Sequence, residues 1–204
     1  MKMMPKKHLI LDAMGVIFID RNDFEQVYLP YFKEKHSFNE EKARELYYSK
    51  LTLGQISSEQ FFSLIGIPNQ NGFVDRLRID TQFMEFAQKF RDNYQISILS
   101  NDTVEWANSI KQRFGLDALI DGYFVSGEIG FRKPDVRAYI NTFKRLNAKP
   151  SDCIVVDDIS DNLLSAKGLG SKTIQFLRGQ EVKSVSPYVS SFLELYKLLI
   201  SNGK

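Results

Sequence analysis

Between residues 96 and 176, short apolar runs alternate with stretches of helical spacing. That alternation restricts the chain to a parallel sheet covered by helices on both faces. Strands are expected at residues 9–11, 96–99, 123–125, 154–156 and 173–176. Trp106, Ile110 and Phe114 recur at intervals of four, as do Tyr139 and Phe143, and Leu163, Ala166 and Leu169 share one face. A last helix is expected with Ser186 as its cap, Pro187 in its first turn, and Phe192, Leu195, Tyr196 and Leu199 on its apolar side.

Residues 21–88 interrupt the alternation. Phe24, Tyr28 and Phe32, then Ala43, Leu46 and Tyr47, then Phe61, Phe62 and Ile65 all have helical spacing, and Phe83, Phe86 and Phe90 continue the pattern. Gly54, Gly66, Pro68, Asn69 and Gly72 punctuate these runs as turns. We read a small all-helical cap at 21–88, set over the strand ends of a core formed by 1–20 and 89–204. Its aromatics serve mainly as its own core, with one or two facing a ligand.

With 204 residues and a net charge of +2, the chain is large enough to bury a core and has no electrostatic case for nucleic acid. Lys2, Lys6 and Lys7 read as a solvated start, and no apolar run reaches membrane-spanning length. Pro5, Lys6 and Lys7 break any signal-peptide core. The single cysteine, Cys153, sits in an apolar run as a small core residue, which points to a reducing, cytoplasmic setting.

Polar groups stand where four strands end, the side on which open α/β sheets bind ligands. Asp12 follows the first strand in LILDAMGV, and Ser100 and Asn101 follow the second in ISILSN. Lys133 lies in GFRKPD after the third, and Asp157 and Asp158 close the fourth in IVVDDISDN. Taken singly, a Ser-Asn pair is usually a turn, Lys-Pro-Asp a helix start and an Asp pair a helix cap. Asp161 reads as a surface residue.

These segments resemble the four motifs of the haloacid dehalogenase-like hydrolase superfamily: ILDAMGVIF the first, ISILSN the second, GFRKPD the third and VVDDISDNLLSAKGLG the fourth. The resemblance runs from Leu9 to the last helix, and the insert containing LTLGQISSEQFF is similar to the family's helical caps. It implies a Rossmann-like, three-layer α/β core with strand order 5-4-1-2-3. It also implies a magnesium-dependent phosphatase acting on a small phosphorylated metabolite. Asp12 would be the nucleophile that carries an aspartyl-phosphate. Asp12, the Met14 carbonyl and Asp158 would hold Mg2+, with Asp157 reaching it directly or through water and Asn162 in support. Ser100 and the Asn101 amide would bind the transferring oxygens, and Lys133 would neutralise charge beside Asp12.

One position departs from the family. Two residues after the nucleophile most phosphatases carry an aspartate that protonates the leaving group, and here stands Met14. Such assistance is typically worth about 10²–10⁴-fold. A methionine spares the metal-binding carbonyl and removes the proton relay. Three alternatives follow: a metal-independent haloacid dehalogenase, a phosphonatase-like enzyme, or a catalytically impaired protein that binds a phosphorylated ligand or a partner. The adjacent Asp157 and Asp158 repel each other without a cation, which speaks against the first. The arginine that a dehalogenase would need in its cap has one counterpart between Asp23 and Asp75, Arg44, which reads as a solvated helix residue. Lys50, the conceivable Schiff-base lysine of a phosphonatase, reads as a surface residue. The sequence names neither the substrate nor the oligomeric state.

Overall fold

In a computed structural model, which describes residues 6–179, 185 and 187–201, all five expected strands form. They are β1 (Lys7–Leu11), β2 (Tyr94–Ser100), β3 (Gly122–Val125), β4 (Cys153–Asp157) and β5 (Lys172–Phe176). The sheet is parallel, in the order β3-β2-β1-β4-β5, with a short sixth strand, β6 (Tyr188–Val189), added outside β5. Side chains leave a strand alternately to its two faces. Leu9, Leu11, Ile96, Ile98, Ile154 and Val156 therefore enter one apolar cluster, and Ile10, Leu99, Cys153 and Val155 enter another.

The helices make the outer layers. After β1, a π-helical turn at Phe24–Tyr28 runs into α1 (Leu29–Lys35), followed by α2 (Glu40–Ser49), α3 (Ser58–Ile65) and α4 (Thr81–Phe90). Beyond β2 come α5 (Val104–Phe114), α6 (Ser126–Ile129), α7 (Val136–Arg145), α8 (Ser160–Gly168) and α9 (Phe192–Ser201). Tyr139 and Phe143 of α7 and Leu163 and Ala166 of α8 cover the Ile10 face, while α4, α5 and α9 contribute to the other. Among the described residues no helix is long and apolar enough to cross a membrane.

Local chemistry sets several helix starts. Ser57 and Gln60 form a reciprocal capping box at α3, and the Thr103 hydroxyl accepts the Trp106 N–H at 3.0 Å to start α5. The C-terminal helix begins later than the sequence suggests. Pro187 does not open it: its carbonyl accepts the Gln175 N–H at 3.0 Å, and the Val189 carbonyl accepts Leu177 N–H at 2.8 Å. The open edge of β5 draws this segment into β6, because its N–H groups need partners. Ser191 then caps α9, accepting the Glu194 N–H at 3.2 Å. Ser186 and Lys2 lie outside the described residues.

The inserted helices dock on the core through one aromatic cluster. Its centre is Trp106 of α5, which is 2% exposed. Phe73 and Tyr28 approach it edge-on at 4.8 and 5.1 Å, and Tyr47 stacks at 5.9 Å. Burying one such ring contributes on the order of 2–3 kcal/mol, before geometry-specific gains. The backbones also meet closely at Gly54, whose φ is +68° and whose added Cβ would lie 2.0 Å from the Gly127 carbonyl oxygen. Only glycine fits there. At the end of the insert, α4 turns instead to α9, packing Phe83 and Phe86 on Phe192.

Candidate active site

β1 ends at Leu11, and the Asp12 N–H continues the ladder to the Val156 carbonyl at 2.8 Å, so Asp12 leaves the sheet at its carboxyl edge. The chain then folds into a tight loop in which Phe18 N–H bonds the Ala13 carbonyl at 2.8 Å and Gly15 N–H the Asp20 carbonyl at 2.9 Å. Gly15 has a φ of +75°, and a Cβ there would lie 2.5 Å from Asp158 Oδ2. Both the turn and the acidic neighbour therefore require glycine. Arg178 braces the loop from β5's far end, donating to the Gly15 and Val16 carbonyls and pairing with Asp80 at 2.7 Å.

Asp12, Met14, Ser100, Asn101, Lys133 and Asn162 all line one cleft of about 170 Å³ at the strand ends. Lys133, 6% exposed, is its electrostatic centre. Its Nζ lies 2.7 Å from Asp12 Oδ1 and 2.7 Å from Asp157 Oδ2. The Ala13 N–H also donates to Asp12 Oδ1, at 2.7 Å. Asn101 clamps the backbone of Lys133 at two points, its Oδ1 accepting the Lys133 N–H at 2.8 Å and its Nδ2 donating to the Lys133 carbonyl at 3.0 Å. Its side chain thus positions the lysine.

Asp157 and Asp158 are neighbours with different surroundings. Asp157 accepts hydrogen bonds at both oxygens, from Lys133, from the Ile159 N–H and from Asn162 Nδ2 at 2.9 and 3.0 Å. Asp158 takes Arg21 Nε on Oδ2 at 2.9 Å, while its buried Oδ1 has no hydrogen-bond partner among the described residues. Burial, followed by repulsion from Asp157, pushes the Asp12 carboxyl well above its ordinary range, against the opposing pull of Lys133. Burial and Asp157 raise Asp158 in the same way, with Arg21 and Lys133 opposing. For Lys133 burial works downward, but Asp12 and Asp157 outweigh it and the ammonium is held more firmly than usual.

The set fits a hard divalent cation. Ligand oxygens of Asp12, Asp157 and Asp158 lie within 4.8 Å of one another. Asp158 Oδ1 is an orphaned buried acceptor, and added positive charge would relieve the repulsion that raises Asp12 and Asp158.

Several residues of the cleft escape a reading of the sequence. Arg21, Asn22, Asp23, Tyr47 and Tyr48 enter from the insert, and Arg132 from the core. Arg132 lies 5.1 Å over the Tyr48 ring and donates to the Tyr48 carbonyl at 2.7 Å. Its place beside Lys133 in GFRKPD was the one available hint. Arg44 pairs with Glu25 at 3.0 Å and Glu40 at 3.5 Å, and Lys50 is exposed at the end of α2. Neither lines the cleft. Asp161 is exposed on α8.

The chain is similar to known proteins over parts of its length. The chain is 31% identical over 113 residues to a drimenol cyclase of Aspergillus calidoustus, covering 53% of this chain and 21% of that protein. It is 33% identical over 79 residues to flavin mononucleotide hydrolase 1 of Arabidopsis thaliana, covering 39% of this chain and 32% of that one. It therefore spans only about a fifth to a third of those relatives. An aspartate-to-alanine mutant of a HAD-family enzyme from Bacteroides thetaiotaomicron, solved with magnesium and inorganic phosphate, has the same fold at a TM-score of 0.69 and 20% identity, covering 87% of this chain and 97% of that one. A family model for haloacid dehalogenase-like hydrolases matches residues 12–170, and the chain belongs to that family.

Proposed function

We propose that this chain is a magnesium-dependent hydrolase of small phosphorylated metabolites that works through a covalent phosphoryl-Asp12. The observation that carries this reading is Lys133 Nζ bridging Asp12 and Asp157 at 2.7 Å each, beside the unpartnered Asp158 Oδ1. A metal-free dehalogenase gains nothing from a third buried carboxylate, whereas a phosphatase uses it. The flavin mononucleotide hydrolase and the magnesium-and-phosphate complex among its relatives support the same chemistry.

Asp12 attacks phosphorus, and the ester oxygen leaves. The Ser100 hydroxyl and the Asn101 N–H hold the non-bridging oxygens, and Lys133, its backbone held by Asn101 and its Nζ by Asp12 and Asp157, balances their charge. Asp12, Asp158 and the Met14 carbonyl would hold the magnesium, which would supply positive charge to offset repulsion between Asp12 and an anionic substrate. Asp157, bonded to Lys133 and Asn162, would hold the lysine in place and support the metal directly or through water. Residues 21–88 would serve as the cap, its last helix α4 packing Phe83 and Phe86 on Phe192 of α9. The cleft of about 170 Å³ suits a phosphoryl group with a short organic portion. Cys153 is buried and unpaired, in keeping with the reducing, cytoplasmic setting we infer.

The test is hydrolysis of para-nitrophenyl phosphate. Turnover is expected with magnesium, and background rates after chelation or in Asp12→Asn. Halide release from haloacids without magnesium would overturn the reading.

A further inference from the structure

Met14 removes a proton donor, and the cap brings a different carboxyl into the same cleft. Among the residues lining it, Asp12 and Asp23 carry the carboxyls. Asp12 is committed to attack and is tied to Lys133. Asp23 is 8% exposed. Its Oδ1 accepts the Phe24 N–H at 2.7 Å and the Tyr47 hydroxyl at 3.1 Å, which fixes the side chain at the start of the helical stretch. The titratable groups facing it are Tyr28 on its own helical turn, Tyr47 and Tyr48 on α2, Asp102 after β2, Tyr123 on β3, and Arg132.

We propose that Asp23 is the general acid and base of this site, protonating the leaving oxygen in place of the carboxyl missing at position 14. The inference rests on the phosphatase reading above. When an Asp12 oxygen bonds to phosphorus, the bond from phosphorus to the ester oxygen breaks, and the Asp23 proton passes to that oxygen to release an alcohol. In the second step water attacks the phosphoryl-Asp12, gives its proton to the Asp23 carboxylate, and frees inorganic phosphate and Asp12. Each cycle consumes one water and restores both carboxyls.

The surroundings of Asp23 suit both half-reactions. Burial raises its carboxyl to about 6, although the Phe24 N–H, the Tyr47 and Tyr28 hydroxyls and Arg132 pull the other way. A group with that affinity is present in both forms near neutrality, which is what a donor that must later accept requires. A helix cap alone would not need this burial, since an exposed Asn or Ser caps as well.

Asp23→Asn keeps an acceptor for Phe24 and Tyr47 and removes the proton. On an alkyl phosphate such as glycerol phosphate, kcat is expected to fall about 10²–10⁴-fold with KM little changed. On para-nitrophenyl phosphate, whose leaving group needs no proton, the first step should persist and phosphorylated Asp12 should accumulate. The wild-type alkyl-phosphate kcat should decline as pH rises through about 6, a limb absent from the variant. Adding Met14→Asp to Asp23→Asn should restore alkyl-phosphate turnover, which a merely misfolded variant would not do. Alkyl-phosphate turnover close to wild type in Asp23→Asn would overturn the proposal and leave the phosphatase reading intact. So would equal losses on both esters that Met14→Asp does not repair. If the wild type hydrolyses neither ester with magnesium, the phosphatase reading fails first and the proposal falls with it.

Discussion

The inserted helices and the sheet-bearing core meet in two places built on opposite terms. Around Trp106 the contact is aromatic, with Tyr28, Tyr47 and Phe73 packed against a single indole. In the other the contact is polar: Arg21 reaches Asp158, Arg132 reaches Tyr48, and Asp23 stands buried among tyrosines. The first region gains stability from apolar area. The second holds carboxyls whose proton affinities burial has raised, at Asp12, Asp23 and Asp158. A fold keeps such groups only where neighbouring packing over-determines their positions. Tyr47 joins the regions directly, since its ring stacks near Trp106 and its hydroxyl donates to Asp23.

Breaking the aromatic region gives the larger effect on stability. Trp106→Ala empties the centre of the seam and is expected to cost about 3–5 kcal/mol in chemical denaturation. A loss below about 1 kcal/mol would mean that the rings do not hold the inserted helices.

Changing the polar region acts in the opposite direction. The folded-state affinity of Asp23, about 6, lies above the ordinary 3.8. A carboxyl raised on folding contributes stability that is fully present below the unfolded value and is lost as pH rises through the folded one. Above that window the buried charge costs up to about 3 kcal/mol. Asn carries no charge, so Asp23→Asn should be more stable than wild type at about pH 8, with the difference shrinking toward about pH 5. Thermal unfolding at the two pH values reads this, and a pH-independent difference would contradict it. The variant that loses alkyl-phosphate turnover would thus gain stability in the alkaline range.

The sequence reading and the structure part company along the same line. Strands could be read from runs such as 154–156, because an unbroken β-branched apolar run is a local signal. The strand-end residues Asp12, Ser100, Asn101 and Lys133 could be placed together because parallel topology forces their strands side by side. The contacts Arg21–Asp158 and Arg178–Gly15 join residues far apart in the chain, and no local pattern announces them. Asp23 sits in RNDF like any helix cap. Only the packing of α2, bringing Tyr47, and of the loop after β2, bringing Asp102, gives it an unusual environment. The last helix starts later than its sequence pattern predicts because Pro187 serves an edge strand as readily as a first turn.

The central claim is that Asp12 becomes covalently phosphorylated. Acid quenching during steady-state hydrolysis of para-nitrophenyl phosphate, followed by mass spectrometry of the peptide containing Asp12, tests it most directly. The account predicts a phosphoryl group on Asp12, more of it in Asp23→Asn and none in Asp12→Asn. Product formation with Asp12 unmodified in every quench would contradict it.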